Sequence, residues 1–218
     1  MKIYDARWAK KAEDKDNFRT LIPEPEQALL ERSKAKKILD LGSGDGKTLV
    51  FLASKGYGLT GIDYSEVGVA KTNASLNENK LKARVVLADI YEPLPFKDGE
   101  FDAVISYQVI NHDTIEKIRC LLHEVNRVLK KGGLFSVKVA DASTYAFTYY
   151  DGLCYDEYGS IFQLIAPRTF LPIAGWERGV IHYEFNKEIL TKELADAGFV
   201  LLDARHIECH LLANFEKR

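Results

Sequence analysis

The seven residues Asp40-Leu41-Gly42-Ser43-Gly44-Asp45-Gly46 constrain this chain more than any others. They close a short apolar run, Lys36 to Leu41, of the kind buried in a parallel sheet. They open a segment, Lys47 to Lys55, whose Leu49, Val50, Leu52 and Ala53 share one helical side. The glycines let the backbone turn sharply and let a ligand approach it, and the head of the following helix offers unpaired N–H groups to an anion. Strand, glycine turn and helix in this order predict a ligand crevice at the carboxyl end of a doubly wound sheet.

The alternation continues downstream. Gly56 stops the first helix, Leu59 to Ile62 reads as a second strand, and Ser65 caps a helix running to about Asn77. Ala83 to Ala88 and Phe101 to Tyr107 are the third and fourth strands, and Leu134 to Ala140 is the fifth. Between the last two lies a helix with a single apolar stripe, Ile115, Ile118, Leu121, Leu122, Val125, Val128 and Leu129; Asp113 and Glu116 have capping-box spacing at its head. Near the C-terminus a capped helix from Asn186 to Ala197 precedes two strands, Val200 to Ile207 and His210 to Phe215, joined by a tight turn that requires antiparallel pairing. Such strands and helices imply right-handed crossovers and a mostly parallel sheet covered on both faces.

From Asp141 to Glu184 the alternation lapses, and the stretch is dense in aromatics, among them Tyr145, Phe147, Tyr149, Tyr150, Tyr155, Tyr158, Phe162, Phe170 and Trp176. It is expected to be an irregular insertion, residues 141–184, serving as a lid over a pocket. Residues 1–30, with Tyr4, Trp8 and Phe18, are expected to add a second flap to a single domain spanning 1–218.

Composition narrows the functional classes. With 218 residues, 46% hydrophobic and 28% charged, the chain has the balance of one ordinary globular domain. A formal charge of −2 supplies no field for phosphates, and the short lysine groups at Lys10-Lys11 and Lys34 to Lys37 read as solvated faces, so no nucleic-acid partner is expected. No stretch approaches the roughly 20 apolar residues of a membrane span, and Met1 to Asp16 is polar, so a cytoplasmic location without membrane attachment is the expectation. Cys120, Cys154 and Cys209 have no metal-binding or redox spacing and read as reduced thiols, Cys120 and Cys209 as small buried side chains.

Asp63 ends the second strand and Asp89 the third, so with Asp40 three carboxylates stand at the carboxyl ends of successive strands and line one crevice. An acid after the second strand can accept the hydroxyls of an adenosine ribose. At these residues the chain resembles the class I S-adenosylmethionine-dependent methyltransferases, from about Lys36 to Val139 and more faintly over Asn186 to Phe215. The resemblance implies that Asp40, Gly42, Ser43 and Gly44 form the cofactor loop. It also implies that Asp63 with Tyr64 meets the ribose, that Asp89 with Ile90 holds the adenine, and that Ser106 and Tyr107 lie near the methionine part. It implies a Rossmann-like α/β fold with seven strands, the last antiparallel and inserted between the fifth and sixth.

A nicotinamide oxidoreductase shares this architecture, but its fingerprint needs a third glycine at position 47, where Lys47 stands; here that glycine is Gly46. A binding module that keeps the cofactor pocket without catalysis is a further alternative. The aromatic insertion and the N-terminal flap favour an enclosed small-molecule acceptor, and amino groups of bases or glutamine are disfavoured because the place that carries [D/N]-P-P-[Y/F] in relatives methylating them holds Ser106-Tyr107-Gln108-Val109. Asp113 reads better as a helix cap and Asp141 as a loop residue than as magnesium ligands, so no metal is expected. His112 and His182 are the candidate general bases, with a packed or capping histidine as the plain alternative for each.

Overall fold

The computed structural model describes residues 22–141, 148–150, 153–155, 161–174 and 178–218. The expected flap aromatics Tyr4, Trp8 and Phe18, with Lys10 and Lys11, lie outside the described residues, as do Tyr145, Phe147, Tyr158 and Trp176 of the insertion. The described elements are α1 (Glu24–Arg32), β1 (Lys37–Leu41), α2 (Lys47–Ser54), β2 (Gly58–Asp63), α3 (Glu66–Glu78), β3 (Arg84–Leu87), β4 (Phe101–Tyr107), α4 (Ile115–Val128) and β5 (Leu129–Ala140). They continue with β6 (Thr148–Tyr150), β7 (Leu153–Tyr155), β8 (Ile161–Ala166), β9 (Thr169–Ala174), β10 (His182–Tyr183), α5 (Lys187–Asp196), β11 (Phe199–Ile207) and β12 (His210–Lys217).

Seven strands form one sheet in the order β11-β12-β5-β4-β1-β2-β3, and β12 runs antiparallel to both β5 and β11. This is the expected topology. The central strands are buried on both faces. Leu39, Leu41, Val104, Phe135, Val137 and Val139 pack with α4 and α5 on one side; Ile38, Ala103, Ile105 and Leu134 pack with α1 and α2 on the other. The stripe on α4 follows the one read from sequence, with Ile118, Leu121, Leu122, Val125 and Val128 at most 1% exposed and Ile115 half-buried, but Leu129, expected in the helix, opens β5 instead. Arg119 binds Glu193 of α5 through two hydrogen bonds of 2.8 and 2.9 Å, fixing the two helices side by side.

Several local expectations are corrected. Helix α4 begins with Thr114 as its N-cap and has no side-chain cap; Asp113 instead accepts from Thr114 N at 2.8 Å and pairs with Lys117 at 2.9 Å. The capping-box spacing fails because helical geometry starts one residue late for it. Cys120 lies on the solvent side of α4 and is exposed, Cys209 is half-buried, and Cys154 is the buried thiol. Glu26, on α1, is 2% exposed and bound by Arg205 and by Asn214 Nδ2 (2.8 Å), so a buried ion pair seats this helix on β11 and β12.

The largest correction concerns the insertion. Its described residues form a second, five-stranded antiparallel sheet in the order β10-β9-β8-β7-β6. Strands of two to six residues joined by turns leave too little length for a visible period, and β8 (IFQLIA) is apolar on both faces, with Leu164 50% and Ile165 44% exposed. Side chains are described for Phe162 and Phe170 among the aromatics noted above, and Phe170 is buried. Asp141 is no plain loop residue: it is 1% exposed, pairs with His206 Nε2 at 2.5 Å and bridges to Phe185, at the junction of the two sheets. No helix among the described residues is long and apolar enough to cross a membrane.

Candidate functional site

The register of β1 places Asp40 between Gly61 of β2 and Ile105 of β4, at the strand ends where the glycine loop leaves the sheet. Gly42 N and Ser43 N donate to Ile62 O at 2.8 and 3.0 Å, and Gly46 N donates to Ser43 O at 2.8 Å. Gly44 N donates to Asp63 Oδ2 at 2.8 Å, while Asp63 Oδ1 accepts from Ser65 N at 2.8 Å. Thr72 of α3 donates to Gly44 O at 3.0 Å. The backbone donors of Gly42, Ser43, Gly44 and Gly46 are thus spent inside the protein; the expected unpaired N–H groups at the head of α2 belong to the residues that follow, from Lys47. What the loop offers is close backbone approach and carboxylates.

Gly46 ends the loop at φ +80°, and a Cβ there would lie 2.9 Å from Thr72 Cα, a backbone atom with little freedom to retreat. Gly46→Ala combines left-handed strain with that overlap. It is expected to cost about 1–3 kcal/mol of stability and to separate α2 from α3, which urea unfolding reads directly.

Asp40 and Asp63 are 4% and 7% exposed. Burial, reinforced by the charges of Asp63 and Asp45, pushes the Asp40 carboxyl up to about 8. Asp89 accepts from Tyr91 N at 2.9 Å, and the Tyr91 hydroxyl reaches the carbonyls of Val109 and Ile110 at 3.3 and 3.2 Å. The turn after β3 is thus stitched to the loop after β4. That loop also closes on the glycine turn, since a Cβ on Gly42 (φ +73°) would stand 2.5 Å from Val109 Cγ2. Tyr64 is half-buried beside Asp63, and Ile90 is 6% exposed. Tyr107 shares a 3.0 Å hydrogen bond with Ser136, and burial holds its phenol well above the usual range, hence neutral.

Three buried side-chain oxygens in this region have no hydrogen-bond partner among the described residues: Ser43 Oγ, Ser106 Oγ and Asn111 Oδ1. A buried polar atom left so is costly unless a ligand or solvent meets it. With the carboxylates, they form a set that suits a molecule carrying an ammonium, hydroxyls and an amino group, which are among the polar groups of S-adenosylmethionine. A pyrophosphate would face three aspartates and a loop in which the N–H groups of Gly42, Ser43, Gly44 and Gly46 are already occupied.

His112 and His182 come from distant parts of the chain and meet, ring centroids 4.9 Å apart at 68°. The contact is held by Tyr183 N donating to Asn111 O at 2.8 Å. The second sheet therefore returns to the main one beside the loop after β4. Sequence reasoning passed over Tyr91, Asn111 and Glu184, whose placement depends on partners far away in sequence.

The comparisons agree with this geometry. A family model described as "Methyltransferase domain" matches residues 38–133. A probable S-adenosylmethionine-dependent methyltransferase of Mycobacterium tuberculosis is 28% identical over 176 residues, 80% of this chain and 52% of that protein. Among solved structures, a protein of Pyrococcus horikoshii superposes with a TM-score of 0.74 at 21% identity, covering 100% of both chains. The 1,6-didemethyltoxoflavin-N1-methyltransferase of Burkholderia thailandensis, solved with its substrate and S-adenosylhomocysteine, superposes at 0.68 with 16% identity, covering 99% of this chain and 87% of that one. Residues 38–133 thus match a methyltransferase domain, and the solved structures share the Rossmann-like fold around it. Over that segment the chain is similar to S-adenosylmethionine-dependent methyltransferases. It spans about half or less of the length of the curated relatives it matches, 47%, 31% and 37% for three of them.

Proposed function

We propose that the chain is an enzyme that binds S-adenosylmethionine in the crevice between Gly42 and Asp89 and transfers its methyl group to a small-molecule acceptor by in-line displacement. The observation that carries this reading is the glycine loop itself. The N–H groups of Gly42, Ser43, Gly44 and Gly46 are spent on Ile62, Ser43 and Asp63, and the loop is ringed by Asp40, Asp45 and Asp63, a site built for a cationic, hydroxyl-bearing ligand rather than a dinucleotide. When bound, the cofactor supplies a methyl group already made electrophilic by its sulfonium.

The residues of the chain then bind, orient and exclude water. Asp40 faces the ammonium end, Asp63 with Tyr64 the ribose, and Asp89 with Ile90 the adenine; Gly42, Ser43 and Gly44 leave room for the ligand, and Ser106 and Tyr107 border the methionine part. No protein nucleophile is required. His112 and His182 border the acceptor side, where either can receive a proton. The segment 141–184 acts as the lid of a single domain: its β10 lies against the loop after β4, and that loop packs on Gly42. The Burkholderia enzyme, with 1,6-didemethyltoxoflavin bound, supports a small acceptor here.

Calorimetry tests the reading. S-adenosylmethionine or S-adenosylhomocysteine is expected to bind in the micromolar range and NAD not at all; tighter binding of NAD would overturn it.

A further inference from the structure

The His112–His182 contact has an acidic neighbour that the cofactor reading leaves unused. Tyr183 and Phe185 turn into the core, 8% and 0% exposed, and pack on each other at 5.0 Å. Alternation along extended backbone therefore turns His182 and Glu184 to the opposite side, with the His112 ring. The backbone there is pinned on two sides. Tyr183 N donates to Asn111 O at 2.8 Å, Glu184 N donates to Arg168 O at 2.9 Å, and Arg168 Nε donates to Glu184 O at 2.8 Å. Glu184 Oε1 is buried without a hydrogen-bond partner among the described residues.

Resting on the methyltransferase reading above, we propose that Glu184 holds the proton released by the acceptor, beside a wall formed by His112 and His182, and that the acceptor presents a neutral hydroxyl there. An oxygen withdrawn from water with no donor is costly as a carboxylate, and a hydroxyl hydrogen supplies the missing donor. The groups acting on Glu184 are the Arg168 guanidinium, at the turn between β8 and β9, and His182 on its own strand; the Arg119–Glu193 pair lies beyond Tyr183 on the core side. Arg168, and His182 when protonated, disfavour a cationic newcomer, so an ammonium acceptor fits worse than a hydroxyl. With the cofactor bound, the hydroxyl oxygen would form a bond to the methyl carbon as the carbon–sulfur bond breaks and its electron pair stays on sulfur, and the hydroxyl proton would pass to the Glu184 carboxylate. An ether, S-adenosylhomocysteine and a neutral carboxylic acid would remain, and the acid would return the proton to water. Burial, opposed by Arg168 and His182, brings this carboxyl up to about 7, suited to such an exchange at neutral pH.

The test uses phenol as the probe hydroxyl, benzylamine as the probe amine and S-adenosylhomocysteine as cofactor stand-in. Carbon NMR of labelled glutamate carboxyls is expected to show one group titrating near pH 7, absent from Glu184→Gln and displaced by phenol in the presence of S-adenosylhomocysteine. Glu184→Gln is expected to weaken phenol about fivefold, the scale of one hydrogen bond, while S-adenosylhomocysteine affinity stays unchanged. Phenol binding that is absent, or equal in the two proteins, overturns the proposal, as does tighter binding of benzylamine than of phenol. Failure of S-adenosylhomocysteine to bind the unaltered protein instead overturns the methyltransferase reading on which the proposal rests.

Discussion

Asp63→Ala is expected to lose most cofactor affinity and about 2–4 kcal/mol of stability together, because one side chain serves both the ligand and the loop that cradles it. Its two oxygens accept from Gly44 N and Ser65 N, both at 2.8 Å and both buried. Alanine leaves those N–H groups without their partner, at roughly 1–3 kcal/mol each. Gly68 packs against the carboxylate, since a Cβ on it would lie 3.1 Å from Asp63 Oδ1, so the vacated volume opens between α3 and the loop. One term opposes this: Asp63 helps raise the Asp40 carboxyl, and its removal relieves that repulsion. The two unpaired N–H groups outweigh it, because the larger cause of the Asp40 shift is burial, which Asp63→Ala leaves in place. Each oxygen still has a lone pair to offer a ribose hydroxyl, so affinity falls both by the lost contact and by the slackened loop. Urea unfolding and calorimetry on the same preparation separate the roles. Lost affinity with an unchanged midpoint would make Asp63 a ligand contact only; a lowered midpoint with unchanged affinity would make it a brace only.

That double role marks the limit of sequence reading at this site. An acid after the second strand is visible in Gly61-Ile62-Asp63, but the partners of Asp63, at positions 44 and 65, become apparent only when the loop and helix are folded. The main sheet was readable because its central strands are buried on both faces and therefore mostly apolar, and because Gly46, Gly56 and Gly198 punctuate the chain at left-handed φ. The second sheet was not, since short hairpin strands with apolar residues on both faces carry no alternation. The Glu26–Arg205 pair joins residues 179 apart and shows no local signal. The His112–His182 meeting was half visible: both residues could be placed near the carboxyl ends of the strands, but their contact depends on the course of β10. Glu184 escaped for the same reason.

Asp40→Asn is expected to move stability and ligand affinity in opposite directions. In the folded chain the Asp40 carboxyl is raised to about 8, first by burial and then by Asp63 and Asp45, whereas the unfolded chain releases that proton near the ordinary aspartate value of 3.8. Between these limits the folded state carries more protons than the unfolded one, so this group's contribution to stability falls as pH rises from about 4 to about 8. Asparagine has nothing to ionise. The variant should therefore match the parent near pH 4 and exceed it by about 3 kcal/mol or more above pH 8, where the parent holds a buried charge beside two like charges. Binding runs the other way. The ammonium of the cofactor needs the carboxylate, so below pH 8 the parent must release a proton to bind, and its affinity should weaken by up to about tenfold per pH unit while the variant binds weakly at every pH. Calorimetry at pH 7 in two buffers of different ionisation enthalpy should count close to one proton released by the parent and none by the variant. A parent–variant stability difference that stays flat from pH 5 to 9 would show that Asp40 is not held protonated by its burial. Equal affinity of parent and variant would remove it from the ligand site. Should both hold, the acid at position 40 would be left with no role in either stability or binding, and the ammonium would have to be met elsewhere in the crevice.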